Sequence, residues 1–419
     1  MNANDCIERF LTYLRIRTDQ PTPDYGTAIQ FLSSVGRAFD LACQTVLIAP
    51  GKPALLMTLK GQDPSLPSVF LNSHMDVVPA FPVRPLKCLQ LRNNRILLKE
   101  FWNCDPFSGH LDDDGKIYGR GTQDMKSVGM QYLEAIYRLK MQGVQLKRTI
   151  HICFVPDEEI GGVEGMRMFV EMEEFRRLNV GICLDEGLAS EDDIYRIYYA
   201  ERSVWWLRVI ASGNAGHGSQ FIENTAAEKL HYIIGKFFEL RKQEKIKLMS
   251  NKTLSLGDVI SVNLTILKVP PTGGIQQNVV PSHFVATFDM RVPPTVDFEA
   301  LQRQLDQWLE EAGDDVRIEY IHKEQNKAMS PQSSDDPWWK AICNVFDQLG
   351  FKYRPAVFAG ATDARYLRYK GIAAYGFSPI VQTPILLHDH NEYLHRDTYL
   401  KGIETYAHLI EALANVPPD

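Results

Sequence analysis

Five short patches of this chain carry imidazole or carboxylate side chains, and four of them stand where a β-strand should end. Residues 69–71, 150–155 and 181–184 are apolar runs of the kind that form buried parallel strands, and each leads into a patch. Functional groups in open α/β sheets gather just beyond the carboxyl ends of such strands. The pattern therefore predicts one cluster of these side chains. The five patches are residues 71–76, 121–124, 155–159, 184–187 and 387–392.

The mixture of side chains indicates a metal site of the Zn²⁺ or Co²⁺ type. Ca²⁺ prefers oxygen ligands alone, and a thiolate site would need cysteines in the patches. Each patch also has an ordinary structural interpretation. His74 could be a core histidine beside a capping Asp76, Asp124 could simply cap the helix that follows it, and residues 157–159 could form a solvated acidic turn. The presence of all five patches in one chain favours the metal site.

Two patches suggest a division of work between neighbouring side chains. His74 and Asp76 lie two positions apart, and a carboxylate often orients a metal-bound imidazole, so His74 is assigned to the metal and Asp76 to its support. Glu158 and Glu159 are adjacent, so that one can bind metal while the other moves protons. His388 is the metal candidate of the last patch, which is rich in histidine.

The order of elements predicts an α/β fold. Residues 5–16, 27–41, 125–141 and 164–173 have helical patterns, and the segments between them read as strands. This alternation is typical of a mixed, mostly parallel sheet with helices on both faces.

A different pattern begins near residue 202. A strand, a long helix, two strands, a helix and a strand follow in turn, and this βαββαβ order is typical of a ferredoxin-like α+β domain. The helix–strand alternation of the first part returns towards the C-terminus, where His388 lies. We therefore predict a discontinuous α/β domain of residues 1–201 and 325–419 that carries the patches, with a satellite domain of residues 202–324 inserted into it.

Charge and cysteine content narrow the class of protein. With 52 acidic and 45 basic residues, the net charge of −7 gives no basic surface for nucleic acid. No stretch has the apolar length of a membrane span, and the N-terminus does not resemble a signal peptide. Seven cysteines without CxxC spacing favour reduced thiols and a cytoplasmic location.

Several specific strings resemble the zinc-dependent aminoacylase and carboxypeptidase family of metallohydrolases, in order and over nearly the whole chain. Met125, which follows Asp124 where many relatives have a second aspartate, favours the aminoacylase branch. The strings are residues 13–18, 71–74, 154–159, 205–206, 225–230, 278–281, 376–379 and 386–390.

The resemblance implies two zinc ions per subunit, with Co²⁺ as a possible substitute, and a cis peptide bond between Asp124 and Met125. It implies metal ligation by His74 and Glu186 at one ion, ligation by Glu159 and His388 at the other, a bridge by Asp124, general-base catalysis by Glu158 and support of His74 by Asp76.

The resemblance also implies a homodimer formed through the satellite domain, with His217 lent to the active site of the partner subunit. Asn278 and Arg291 are the implied contacts to the substrate carbonyl and carboxylate. Gly376 and Ser378 are expected to line the same pocket.

The implied activity is zinc-dependent hydrolysis of N-acyl-L-amino acids to a carboxylate and a free L-amino acid. A dipeptidase or carboxypeptidase of the same family is the alternative with identical metal chemistry, and a catalytically silent binding homologue is the alternative of a different class. Residues 82–98 form an atypical, basic insertion, because close relatives pass almost directly from Phe81 to Lys99. We expect this insertion to be an exposed loop.

Overall fold

The computed structural model describes residues 2–80, 102–269 and 276–418. The predicted insertion at residues 82–98 lies outside the described residues. The chain divides into two compact units, of which the first comprises residues up to 199, residues 330–355 and residues from 362 onwards. The second comprises residues 200–329 and 356–361. The sequence had placed these boundaries at 202 and 324, and it did not assign the short segment 356–361 to the second unit.

The helices of the described residues alternate with strands in the first unit, and two of them belong to the second. In chain order they are α1 (Ala3–Arg15), α2 (Tyr25–Ala38), α3 (Lys126–Met141), α4 (Met166–Phe169), α5 (Glu173–Arg176), α6 (Ala226–Ser250), α7 (Phe298–Ala312), α8 (Pro337–Gln348), α9 (Ala364–Tyr369) and α10 (Arg396–Ala414).

The strands of the described residues form two larger and two smaller sheets. In chain order they are β1 (Ala42–Ala49), β2 (Lys52–Leu59), β3 (Ser68–His74), β4 (His110–Leu111), β5 (Lys116–Tyr118), β6 (Ile150–Val155), β7 (Val180–Asp185), β8 (Ile194–Glu201), β9 (Ser203–Ser212), β10 (Gly216–His217), β11 (Ser261–Lys268), β12 (Val279–Val280), β13 (His283–Val292), β14 (Val316–Lys323), β15 (Lys352–Phe358), β16 (Ala373–Gly376) and β17 (Tyr393–His395).

The main sheet has the order β1-β2-β6-β3-β7-β16-β8-β15. Its four central strands, β6, β3, β7 and β16, are mutually parallel, and the flanking strands β2 and β8 pair antiparallel with β6 and β16. The predicted mixed α/β sheet is therefore confirmed. Because the central strands share one direction, their carboxyl ends meet at one edge of the sheet.

Both faces of this sheet are buried, as the continuous apolar runs predict. Val69 and Leu71 of β3 enter one core cluster, which includes residues of α1, α2, α3 and α10, whereas Phe70 enters another with α4, α5 and α9. This division follows from the alternation of side chains along a strand. The sheet is thus held from both sides, which gives its carboxyl edge a rigid base.

The helix predicted over residues 164–173 is wrong in its extent. The structure has two short helices, α4 and α5, separated at Met172, whose extended backbone (φ −77°, ψ 154°) begins the second. Phe169 and Phe175 still meet, with ring centroids 5.5 Å apart, so the apolar pattern reflects packing of two short helices on one core.

The second unit contains β9, β10, α6, β11, β12, β13, α7 and β14 in chain order; β10 pairs with β12, and the larger antiparallel sheet has the order β11-β13-β9-β14. One sheet face packs on α6 and α7 through residues such as Trp205, Leu207 and Phe288. Thr225 begins α6 with a capping box to Glu228, and Asp297 caps α7. Among the described residues, no helix combines the length and the apolar character needed to cross a membrane.

Candidate metal centre

The carboxyl edge of the main sheet brings three of the predicted patches together. His74 is the last residue of β3, Glu158 and Glu159 follow β6, and Glu186 directly follows β7. Because β3 pairs in parallel with both β6 and β7, the three strand ends are adjacent. Sheet topology therefore brings these four residues to one edge of the sheet.

Asp124 lies in the loop before α3, and a buried glutamate fixes this loop. Asp124 immediately precedes Met125, the N-cap of α3, and the peptide bond between these two residues is cis. Glu392 is fully buried and accepts hydrogen bonds from Arg120 Nη1 at 2.8 Å and from the backbone N–H of Gln123 at 2.6 Å. The carboxylate of Glu392 thus ties the loop that carries Asp124 to the segment that carries His388.

The ligand candidates form two groups that share one carboxylate. His74 Nε2 lies 3.0 Å from Asp124 Oδ1 and 3.7 Å from Glu186 Oε2. His388 Nε2 lies 3.1 Å from Asp124 Oδ2 and 3.1 Å from Glu159 Oε2. Within each group the candidate ligand atoms are at most 4.8 Å apart, and each oxygen of Asp124 belongs to a different group. The arrangement can hold two cations with Asp124 between them.

Burial makes this cluster of carboxylates costly without a cation. Burial and the charge of Asp124 raise the pKa of Glu159 to about 7 and hold that of Glu186 well above its ordinary value. Burial alone would raise the pKa of Asp124, but hydrogen bonds from His388 and His74 have the larger effect. The pKa of Asp124 is therefore below its ordinary value. The electrostatics thus favour added positive charge among these side chains.

The imidazoles respond in the opposite sense. Burial alone would lower the pKa of His74, but Glu186 and Asp124 raise it well above its ordinary value. Hydrogen bonds to Asp124 and Glu159 raise the pKa of His388 to about 10. In both cases a proton stabilises the same carboxylates that a divalent cation would stabilise.

The donor set fits Zn²⁺. Each group offers one imidazole nitrogen and two carboxylates, and three protein ligands with a remaining open position are typical of catalytic zinc. The two imidazoles cannot by themselves neutralise the buried acids, which include Asp185 and Asp363 as well as the ligand candidates. Burial and the charge of Asp185 raise the pKa of Asp363 to about 8. Bound divalent cations would offset this excess of negative charge.

Asp76 supports the centre through two different groups of atoms. Its backbone carbonyl lies 2.8 Å from His74 Nδ1, whereas its carboxylate is 3.8 Å from the same nitrogen. The buried carboxylate instead accepts the backbone N–H groups of Glu158 and Glu159, each at 3.1 Å, and the side-chain amide of Gln20 at 2.9 Å. Asp76 therefore fixes the turn that presents the two glutamates as well as the imidazole.

Glu158 lies beside the two ligand groups but belongs to neither of them. Its side chain is buried, and burial together with the charge of Glu186 raises its pKa well above the ordinary value. A carboxylate with a raised pKa is suited to accept and return a proton near neutral pH.

The residue before Glu158 is held by a set of contacts that sequence reasoning missed. Asp157 has a left-handed backbone (φ 65°), and its carboxylate accepts hydrogen bonds from the hydroxyl of Tyr25 at 2.7 Å and from Lys52 Nζ at 2.8 Å. Gln20 bridges the carboxylates of Asp157 and Asp76. Only Asp157 had a local signal, as part of an acidic triplet, because its partners are distant in the chain.

Two more missed carboxylates support the ligands. Glu392 has the role described above, and Asp185 accepts hydrogen bonds from Asn72 Nδ2 at 3.1 Å and from the backbone N–H of Glu186 at 2.8 Å. Both lie within the predicted patches, so position in a patch was the available signal.

Gly376 and Ser378 contact the backbone beside Glu186. A Cβ atom on Gly376 would lie 2.4 Å from the carbonyl oxygen of Glu186, so only glycine allows this close approach. The buried hydroxyl of Ser378 lies 3.0 Å from both the N–H and the carbonyl oxygen of Gly187. The structure thus places both residues against the chain that carries a metal-ligand candidate.

The remaining predicted residues lie in the second unit. His217 on β10 and Asn278 just before β12 are both exposed, and Asn278 Nδ2 is 3.4 Å from His217 Nε2. The backbone N–H of Gly218 donates to the carbonyl of Asn278 at 2.7 Å. Arg291 lies on β13, paired with Asp289. The structure therefore brings His217 and Asn278 together within this unit.

This chain is similar to known proteins over nearly its full length. Residues 70–412 match the model of peptidase family M20/M25/M40. The chain is 48% identical over 408 residues to aminoacylase-1 of Mus musculus, a match that covers 97% of this chain and 95% of that protein. It is 42% identical over 425 residues to aminoacylase-1 of Dictyostelium discoideum, with 99% of each covered.

A solved structure agrees in fold. An M20 family metallo-carboxypeptidase from Sulfolobus solfataricus matches with a TM-score of 0.70 at 18% identity, covering 99% of this chain and 100% of that chain. At this identity the likeness concerns the fold alone.

Proposed function

The chain belongs to peptidase family M20/M25/M40, and on that premise we propose that it hydrolyses N-acyl-L-amino acids with two zinc ions per subunit. Metal-dependent hydrolysis of N-acyl amino acids is the activity that the likeness to aminoacylase-1 supports. The single observation that carries the two-metal proposal is Asp124, whose two oxygens face His74 at 3.0 Å and His388 at 3.1 Å.

The proposed ligands follow the two groups. His74 and Glu186 would hold one ion, Glu159 and His388 would hold the other, and Asp124 would contribute one oxygen to each. When bound, divalent zinc acidifies a water molecule and polarises an amide carbonyl. Co²⁺ offers the same ligand preferences and is the expected substitute.

Glu158 is the proposed general base. It takes a proton from the attacking water as the water oxygen bonds to the amide carbon, and it returns that proton to the amine nitrogen as the C–N bond breaks. The buried position of Glu158 and its raised pKa support this role. Asp76 is the proposed support for both His74 and the turn that carries Glu158.

We propose substrate-binding roles for three residues of the second unit. His217 would donate a hydrogen bond to the developing oxyanion, Asn278 would contact the substrate carbonyl, and Arg291 would bind the free α-carboxylate. Gly376 and Ser378 would line the pocket of the first unit. We further propose a homodimer formed through the second unit, in which His217 serves the site of the partner subunit.

The cysteines support a proposal about cellular location. The six cysteines within the described residues are free thiols, and Cys153 and Cys183 are buried in β6 and β7. We propose a cytoplasmic location, because such thiols suit a reducing compartment.

The test is a substrate comparison on zinc-loaded protein. We expect hydrolysis of N-acetyl-L-methionine to exceed hydrolysis of a dipeptide such as glycyl-L-methionine, as judged by kcat/KM. Greater activity on the dipeptide would favour the dipeptidase alternative. Absence of hydrolysis of both compounds, with zinc bound, would favour a silent binding homologue.

A further inference from the structure

The proposed carboxylate-binding residue of the second unit is already held by an internal carboxylate. Asp289 and Arg291 lie two positions apart on β13, so they share one face of the sheet. Arg291 Nε lies 2.7 Å from Asp289 Oδ1, and Arg291 Nη2 lies 3.0 Å from Oδ2. The contact is bidentate and uses the side edge of the guanidinium.

Asp289 is itself fixed by a neighbouring strand. Trp206 on β9 is the direct cross-strand partner of Asp289, and its indole Nε1 donates to Asp289 Oδ2 at 3.1 Å. Trp206 also packs against His322 of β14, with ring centroids 5.8 Å apart. Three donors therefore converge on one carboxylate, which limits its freedom to turn.

The geometry leaves part of Arg291 available. A guanidinium carries five N–H groups, and the contact with Asp289 uses one on Nε and one on Nη2. Both N–H groups of Nη1 and the second of Nη2 lie outside this contact, and one N–H from each of these two nitrogens forms the end edge of the guanidinium. That edge has the fork shape that matches a planar carboxylate. The side chain of Arg291 is 25% exposed, so a ligand can reach it.

Local charge favours a second anion. Arg202 is a buried guanidinium that donates to the carbonyls of Val259 and Ala359 and to the hydroxyl of Ser261. Burial and the nearby charge of Arg291 lower the pKa of Arg202 to about 10. Arg202 therefore adds positive charge near Arg291, and this charge suits an added carboxylate.

We propose that Asp289 is a positioning residue for substrate recognition, which holds Arg291 by one edge so that the other edge receives the α-carboxylate of the N-acyl amino acid. The proposal rests on the proposed function for the identity of the ligand. It makes Asp289 a determinant of specificity for substrates with a free carboxylate, through Arg291 and not through contact with the substrate.

The central experiment compares Asp289→Asn with the unaltered enzyme on N-acetyl-L-methionine and on its methyl ester. An amide cannot accept both N–H groups of the fork, so Arg291 loses its fixed orientation. We expect KM for the acid to rise about tenfold, the cost of a weakened charge-assisted contact, with kcat changed by less than about twofold. The methyl ester has no carboxylate, and its kcat/KM should stay within about twofold.

A matched control and a second variant separate positioning from general damage. Arg317 and Glu319 form a similar pair two positions apart on β14, so Glu319→Gln should leave KM unchanged. Trp206→Phe removes the indole donor to Asp289, keeps an aromatic ring beside His322, and should raise KM for the acid by a smaller factor. It also keeps the proposal testable if Asp289→Asn fails to fold.

A double-variant cycle tests whether Asp289 acts through Arg291. In an Arg291→Ala background, Asp289→Asn should cause no further rise in KM. An equal rise in that background would overturn the proposal. A lower KM in Asp289→Asn would also overturn it, because Asp289 would then compete with the substrate for Arg291. Equal effects on acid and ester would show a merely structural role.

Failure of the proposed function gives a different result. If the unaltered enzyme hydrolyses no N-acyl amino acid, calorimetric binding of N-acetyl-L-methionine replaces KM as the readout. Weaker binding to Asp289→Asn, with unchanged binding of the methyl ester, would still support the positioning role. Equal binding of N-acetyl-L-methionine to both proteins would overturn it.

Discussion

His388 and Asp124 meet with 3.1 Å between Nε2 and Oδ2, although 264 positions separate them in the chain. The other oxygen of Asp124 lies 3.0 Å from Nε2 of His74. One carboxylate therefore faces both imidazoles, and the two proposed metal positions depend on the same residue.

Metal content tests this shared dependence. Asp124→Ala should lose both zinc ions, whereas His388→Ala should lose one and retain the ion at His74. Because bound metal stabilises the folded state, the melting temperature should fall further for Asp124→Ala. The zinc-to-protein ratio after dialysis measures the effect, and His231→Ala on the exposed side of α6 is the control. Two ions retained in Asp124→Ala would rule out a bridging role.

Replacement of the proposed base should separate binding from turnover. Glu158→Gln keeps the size of the side chain but cannot accept the proton, so kcat should fall by roughly two to four orders of magnitude. Zinc content and the dissociation constant of N-acetyl-L-methionine should stay near those of the unaltered protein. Glu164→Gln, an exposed residue shortly after the same turn, serves as the control. Near-normal turnover in Glu158→Gln would remove Glu158 from this role.

A mixing experiment tests the proposed shared site of the dimer. His217→Ala and Glu158→Gln should each be nearly inactive alone. A hybrid dimer of the two would contain one site with both residues intact, so mixing should restore part of the activity, up to about a quarter of the wild-type value if subunits pair at random. Mass spectrometry of labelled subunits confirms exchange. No recovery after confirmed exchange would contradict the shared site.

Arg291→Lys should weaken carboxylate recognition. An ammonium group cannot reproduce bidentate contacts, so we expect KM for N-acetyl-L-methionine to rise by about tenfold or more, while the methyl ester is treated alike by both enzymes. Steady-state kinetics on the two substrates give the comparison. Arg317→Lys, which alters a similar pair on β14, is the matched control. The same KM change on the ester would assign Arg291 another role.

A buried histidine away from the centre predicts a loss of stability in acid. His151 lies inside β6 with Nδ1 2.9 Å from the hydroxyl of Thr58, and burial lowers its pKa to about 4 from 6.5. The unfolded chain therefore binds the extra proton first. Neutral His151 therefore costs no stability above pH 6.5, and the free energy of unfolding decreases as the pH falls from 6.5 towards 4. This decrease amounts to about 2 kcal/mol at pH 5.

Urea unfolding at pH 7.5 and pH 5 measures this loss. His151→Gln should reduce the difference in unfolding free energy between the two pH values, because glutamine does not titrate. His231→Gln, an exposed histidine of α6, should leave the difference unchanged. An unchanged difference in His151→Gln would show that other groups cause the acid sensitivity.

Local pattern was sufficient for much of the fold. Strand β13 and helix α7 occur in the predicted order, because the apolar periodicity that marks each of them lies within a single segment. The apolar runs before the patches also predicted that His74 and Glu186 follow central strands. The carboxyl ends of neighbouring parallel strands lie at one edge of the sheet, so this prediction does not depend on how the rest of the chain folds.

The same local reasoning failed for α4 and α5, because the apolar spacing of residues 164–173 does not reveal the extended backbone at Met172. The sequence also predicted only that Asp76 supports His74. In the folded chain the Asp76 carboxylate holds the backbone of Glu158 and Glu159.

The sequence by itself determined which side chains stand at the strand ends and therefore which chemistry the chain can support. Only the tertiary structure decided how those side chains are held. Glu392 fixes the loop of Asp124, Lys52 fixes Asp157, and Asp289 fixes Arg291. Periodicity and strand order are local properties of a chain, so a sequence displays them. Most hydrogen-bond partners in a buried site come from distant segments, and their choice depends on packing that no single segment encodes.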